Sequence, residues 1–142
     1  MPVNIIIPPA PFPTVTMVAA ETLAMGDLLC VVNSAGEVGK ARSTYSADRW
    51  RVIAVALDVA IAGDNVPVGL VGEVSPVLFG SAPAAASNGS LVYLSSTLGV
   101  ATLTPPLTTG NVIFTVGVLQ GANGLSSSPT VAFIPQYISR IP

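Results

Sequence analysis

The sequence predicts an all-β fold: a small antiparallel β-barrel or sandwich built from two similar half-units, with extended N- and C-terminal arms and at most one or two short helical turns. Three observations carry this. Runs rich in β-branched and aromatic residues recur at roughly ten-residue spacing, bounded by Gly, Asn, Ser and Pro, as strands and turns require. Helix-forming stretches are short. The chain also writes one phrase twice: GDLLCVVNSAG at 26–36 returns as GSLVYLSSTLG at 89–99.

In chain order, residues 1–13, MPVNIIIPPAPFP, form an arm. Its five prolines forbid a helix and favour extended or polyproline conformation. Ile5, Ile6, Ile7 and Phe12, with Pro8 and Pro9, make it too apolar for a solvated tail, so these six are the candidate partner contacts. Residues 14–142 form a single domain. LLCVV (28–32) turns at NSAG and returns as EVGKA (37–41). WRVIAVAL (50–57) is a strand, AGDN (62–65) a turn, VPVGLVGEV (66–74) and PVLFG (76–80) further strand. LVYLSS (91–96) and VATLT (100–104) make a second hairpin, and VIFTVGVLQ (112–120) and TVAFIPQYI (130–138) close the series. Helix formers appear at ETLAMGDLL (21–29), interrupted by Gly26, and at APAAAS (82–87), about a turn and a half.

The repeat holds one offset of 63 residues. Gly26 matches Gly89, Leu28 matches Leu91, Gly36 matches Gly99, Ile53–Val55 match Val116–Val118, and Val68 matches Val131. This defines half-units at about 24–74 and 87–138. Two such units about a local twofold axis would close a barrel and hide edges that neither hides alone. Gly36 and Gly99 stand where a hairpin loop calls for positive φ.

Half of the residues are apolar (51%) and only 8% are charged, against roughly 25% in average globular proteins. Too few charges remain to cover a monomer, which points to assembly. No window is long and apolar enough for a spanning helix, since 52–70 contains Asp58, Asp64, Asn65 and Pro67. The N-terminus has no basic region ahead of its isoleucines, so no signal peptide is expected. With five basic residues, of which Arg49 and Arg51 flank Trp50, a nucleic-acid partner is not expected.

Catalysis is not expected either. There is no histidine, which removes the commonest general base and metal ligand. Cys30 is the sole cysteine and lies in an apolar run. Among seven carboxylates only Asp58 and Asp64, either side of a turn, stand as a candidate pair, and Asp64-Asn65 reads as turn chemistry. Gly69 and Gly72 open no helix and cradle no phosphate. No catalytic residue, metal or cofactor is expected.

The order of phrases, GD-apolar hairpin, IAVAL, AGDNVPV, GEV, then NGSLVYLS…GVAT and VGVL, resembles tailed-bacteriophage head-decoration (cement) proteins and related phage structural β-barrel domains, over about Ala24 to Val131. The resemblance implies a structural virion protein on the capsid surface. It would be made in the host cytoplasm, with the major capsid protein and itself, as a homotrimer, for partners. The alternatives are another virion component, such as a fibre, tail or head-spike base domain, or a soluble ligand-binding β-barrel.

Overall fold

The computed structural model describes residues 15–142; the arm of residues 1–13, with Ile5, Ile6, Ile7, Pro8, Pro9 and Phe12, lies outside the described residues. Ten strands follow: β1 (Val15–Val18), β2 (Leu28–Val31), β3 (Val38–Lys40), β4 (Ala54–Ala56), β5 (Asn65–Gly69), β6 (Val74–Pro76), β7 (Leu91–Leu94), β8 (Ala101–Thr102), β9 (Val112–Leu119) and β10 (Thr130–Arg140). They make two antiparallel five-stranded sheets, ordered β1-β5-β4-β2-β3 and β6-β10-β9-β7-β8. Adding five to each label of the first order gives the second. The fold is therefore all-β and built from two similar units.

The offset of 63 survives at the level of register. Leu28 faces Val55 and Leu29 faces Ala54; Leu91 faces Val118 and Val92 faces Gly117. Cys30–Gly39 and Val31–Val38 correspond to Tyr93–Thr102 and Leu94–Ala101. On the outermost strand the offset drops to 60: Val15 faces Val68, while Ser75 faces Val131. The strand-level units thus begin one strand before the phrases that betray them, at Val15 and Val74. Gly26 and Gly89 share φ 91°, and Gly36 and Gly99 have φ 79° and 76°, the left-handed turn conformation expected of them.

Each sheet curls towards closure. Just past β1, Ala19 bridges Val38 of β3, and past β6, Phe79 bridges Ala101 of β8, both in parallel. Among the described residues helical structure is confined to two 3-10 turns, Tyr45–Ala47 and Ala85–Ser87. The stretch 21–29 forms no helix, because Gly26 turns the chain at positive φ directly into β2.

Alternation in β2 and β4 explains why their sequence is apolar on every residue. Leu29, Ala54 and Ala56 face the inside of the first curl, with Val38, Val66 and Val68. Leu28, Cys30 and Val55 face the other way, into a larger core with Val92, Leu94, Val116 and Phe133 of the second sheet. A strand buried on both faces reads as a continuous apolar run. The units are therefore stacked, the outer face of the first filling the inner face of the second. The twofold arrangement expected from the repeat would bury equivalent residues alike, yet Leu28 is 0% exposed and Leu91 51%. Backbone hydrogen bonds seal the junction: Leu28 N–H donates to Gly99 O (2.9 Å), Gly99 N–H to Ala41 O (2.7 Å) and Leu78 N–H to Gly26 O (2.9 Å).

Candidate functional site

The loop from β3 to β4 carries Tyr45, Trp50 and Arg51, and the far end of β10 carries Tyr137 and Arg140. The fold brings them together. Tyr45 stacks on Trp50 with ring centroids 5.9 Å apart and planes at 17°. Tyr137 lies 5.2 Å from Trp50, and Phe114 of β9 lies 6.4 Å away. Arg51 sits 4.6 Å over the Trp50 ring and Arg140 sits 4.0 Å over Tyr45. The tyrosines look scattered in the sequence because the pairing of β9 with β10, not any spacing, brings Tyr137 to the loop. Both rings of the Tyr45–Trp50 stack are already in contact with a guanidinium. This arrangement pins the C-terminal end of β10 to the first unit.

Asp58, Asp64 and Cys30 stand apart from one another, while Glu21, Asp27, Lys40 and Arg49 gather at the edge of β3. Among the described residues no three of His, Cys, Asp and Glu converge on a point that could hold a metal ion. Asp58 accepts the N–H of Val59 (2.8 Å), while the Asp64 backbone closes a turn onto Ile61 O (3.1 Å). Cys30 is buried in the shared core, and burial pushes its thiol up to about 11, so it is protonated and inert at neutral pH. Glu21 is structural. It accepts the backbone N–H of Lys40 (2.8 Å) and pairs with Arg49 (2.6 Å), covering the edge of β3.

Asp27 is the one buried carboxylate among the described residues, at 1% exposure. It accepts the N–H of Ala24 (2.7 Å) and has the Lys40 ammonium 4.0 Å away. Desolvation outweighs both and raises its pKa above the ordinary 3.8. Gly99 of the second unit packs directly on it, for a Cβ there would lie 2.5 Å from Asp27 Oδ1. Its place in the junction, not in an open cleft, makes it an element of packing.

Each unit carries an open cleft. The first, about 430 Å³, is lined by Leu23, Lys40, Ile61 and Asp64; the second, about 380 Å³, by Pro83, Ser95, Thr102 and Leu103. Under the repeat the two linings share only two positions, Leu23 with Pro83 and Lys40 with Leu103. Lys40 and Asp64 of the first have no charged counterparts in the second, and neither cleft gathers convergent polar groups around an apolar pocket.

What the surface offers in quantity is apolar area. Sixteen large apolar or aromatic side chains stand exposed among the described residues, more than the twelve charged residues of the whole chain. Among them, Leu125 is 87% and Leu107 82% exposed, and Ile134, Tyr137 and Ile138 run along β10. No helix among the described residues is long and apolar enough to cross a membrane. No protein-family model, curated protein or solved structure matches this chain.

Proposed function

We propose that this protein is a structural component of a bacteriophage virion, a decoration or cement protein that binds the outside of the capsid and ties neighbouring shell subunits together. The observation that carries the reading is the exposed apolar surface on a chain with only five basic and seven acidic residues. Such a surface suits burial against a large partner. Its partners are the major capsid protein and further copies of itself, in a homotrimer. The arm residues Ile5, Ile6, Ile7, Pro8, Pro9 and Phe12 contact the shell. Burying about 1,000 Å² of apolar surface per copy would contribute on the order of 25 kcal/mol gross. Association and ordering of the arm take back much of that, and repetition over the shell adds avidity.

The test mixes the purified protein with heads that lack their decoration and follows cosedimentation. Saturable binding that raises the heads' resistance to heat is expected, and removal of residues 1–13 is expected to weaken it while the far-ultraviolet spectrum stays unchanged. Failure of the full chain to bind heads, or binding to host cells instead, would overturn the reading.

A further inference from the structure

The stacking of the units uses one surface of each, and no described residue covers its equivalent on the other unit. In the first unit the outer row Leu28, Val55 and Gly69 is buried against the second sheet. The corresponding row of the second unit, Leu91–Val118–Ala132, extends to Val74 and runs straight across β7, β9, β10 and β6. It faces outward, with Leu91 51% and Val74 55% exposed.

The receiving surface shows the converse. Ser75, Val77, Leu94 and Gly99 of the second unit are buried where the first unit seats on them. Their equivalents Val15, Met17, Val31 and Gly36 are exposed or half-buried, Val31 at 45% against 0% for Leu94. Among the described residues each chain therefore carries one occupied contact, and the equivalents of its two halves, the outward row and the rim of the first curl, stand unoccupied.

We propose that a second copy of this chain fills it: the Leu91–Val118–Ala132–Val74 row of one copy seats on the Val15–Met17–Val31 opening of the next, head to tail, repeating between chains the contact that joins the units within one. The close-approach points of the internal contact support the match. A Cβ on Gly26 would lie 3.0 Å from Leu78 N, and one on Gly99 would lie 2.5 Å from Asp27 Oδ1. The corresponding pairs between copies are Gly89 with Val18 and Ser90 with Gly36. Glycine is kept at both close approaches, and a serine replaces the buried aspartate. The third point is bulkier. Gly69, whose added Cβ would collide with Ser75 Oγ, becomes Ala132 and Ser75 becomes Val15, so the backbones must stand further apart there than in the internal contact.

A head-to-tail contact joins two different surfaces, so its repetition ends in a ring where the rotation closes and in a filament where it does not. Only closure at three copies rests on the trimer proposed above; the contact itself stands without any capsid.

The experiment uses two full-length preparations, Val15→Cys and Ala132→Cys, of different mass through a tag on one, mixed and oxidised. The two sites would stand close to the Cβ separation of a disulfide, about 3.5–4.5 Å. Cys30, buried in the core, gives no background. A disulfide-linked heterodimer is expected in the mixture, with little covalent dimer in either preparation alone. No mixed disulfide would overturn the proposal, as it would mean that the chain's own arm or another protein covers the opening. Equal self-linking of a single variant would overturn it too, as the mark of a twofold contact. In the chain without added cysteines, Leu91→Arg is expected to weaken self-association at least about tenfold by sedimentation. Leu125→Arg, an exposed leucine on the loop before β10, should leave it unchanged. Identical behaviour of the two would refute the contact.

Discussion

Gly36 and Gly99 are the same turn residue in two settings, which lets the energy of the unit junction be measured by one substitution made twice. Both have left-handed φ, 79° and 76°, so alanine strains the backbone equally at each, by about 1 kcal/mol. At Gly36 nothing lies within 4 Å of the added Cβ, and the loss should stop there. At Gly99 the Cβ would meet Asp27 at 2.5 Å. Asp27 cannot withdraw without giving up the Ala24 N–H, and its burial leaves water no access to replace that bond. Gly99 cannot withdraw without stretching its own bonds to Leu28 and Ala41. Loss of one such buried bond costs about 1–3 kcal/mol, so Gly99→Ala should destabilise by roughly 2–4 kcal/mol in total. Urea titrations followed by circular dichroism, with the slope held common, give both values, measured where the protein is monomeric. Equal losses for Gly36→Ala and Gly99→Ala would refute the stacked arrangement. Raising the protein concentration adds a second reading. If copies associate head to tail, Gly36 becomes a junction residue, and Gly36→Ala should weaken association as Gly99→Ala weakens folding.

Asp27 and Cys30 yield two further predictions. Burial raises the folded pKa of Asp27 above its unfolded value, so the folded chain binds this proton more tightly. Its contribution to stability is full at low pH and falls as pH rises from about 4 through the folded pKa. Asp27→Asn keeps an acceptor for Ala24 and should remove that fall; a natural chain with no such decline over this range would contradict the assignment. Cys30, protonated and buried, should resist a thiol reagent at pH 8 until urea unfolds the chain. Prompt stoichiometric labelling of the folded protein would show the shared core to be open.

The strands and the repeat were legible because their signals are local. The hairpin LLCVV–NSAG–EVGKA shows its turn glycine and its apolar flanks within a dozen residues, and β9 is a long β-branched run. β1 was not legible. VTMV carries no turn signal of its own, and its place is fixed by β5, fifty residues on. WRVIAVAL reads as an eight-residue strand but pairs only over Ala54–Ala56, since Trp50 leaves the sheet for the aromatic cluster. That cluster needs Tyr137 and Arg140, which register alone delivers. The mode of packing between units was not legible either, because Leu28 and Leu91 are the same residue in the same phrase and only their surroundings differ.

The differences between the copies show which surfaces the internal contact has shaped. Where the first unit meets the second, Asp27 carries a buried carboxylate and Gly69 has no side chain to separate the strands; in the second unit the same places hold Ser90 and Ala132. Those are ordinary substitutions for a surface released from one tight fit. The apolar character of the row is not released, however. Leu91 and Val118 remain as leucine and valine although no part of the described chain covers Leu91, and Val74 adds a further apolar residue to the same line. On the receiving side Val15 and Val31 stand exposed where serine and leucine are buried in the other copy. A monomer would gain solubility from a charge at any of these positions, because exposed apolar rows invite association. Their persistence on both halves of one unoccupied contact is what a chain built to bind copies of itself requires, and a charge at Leu91 is the smallest change that separates folding from that binding.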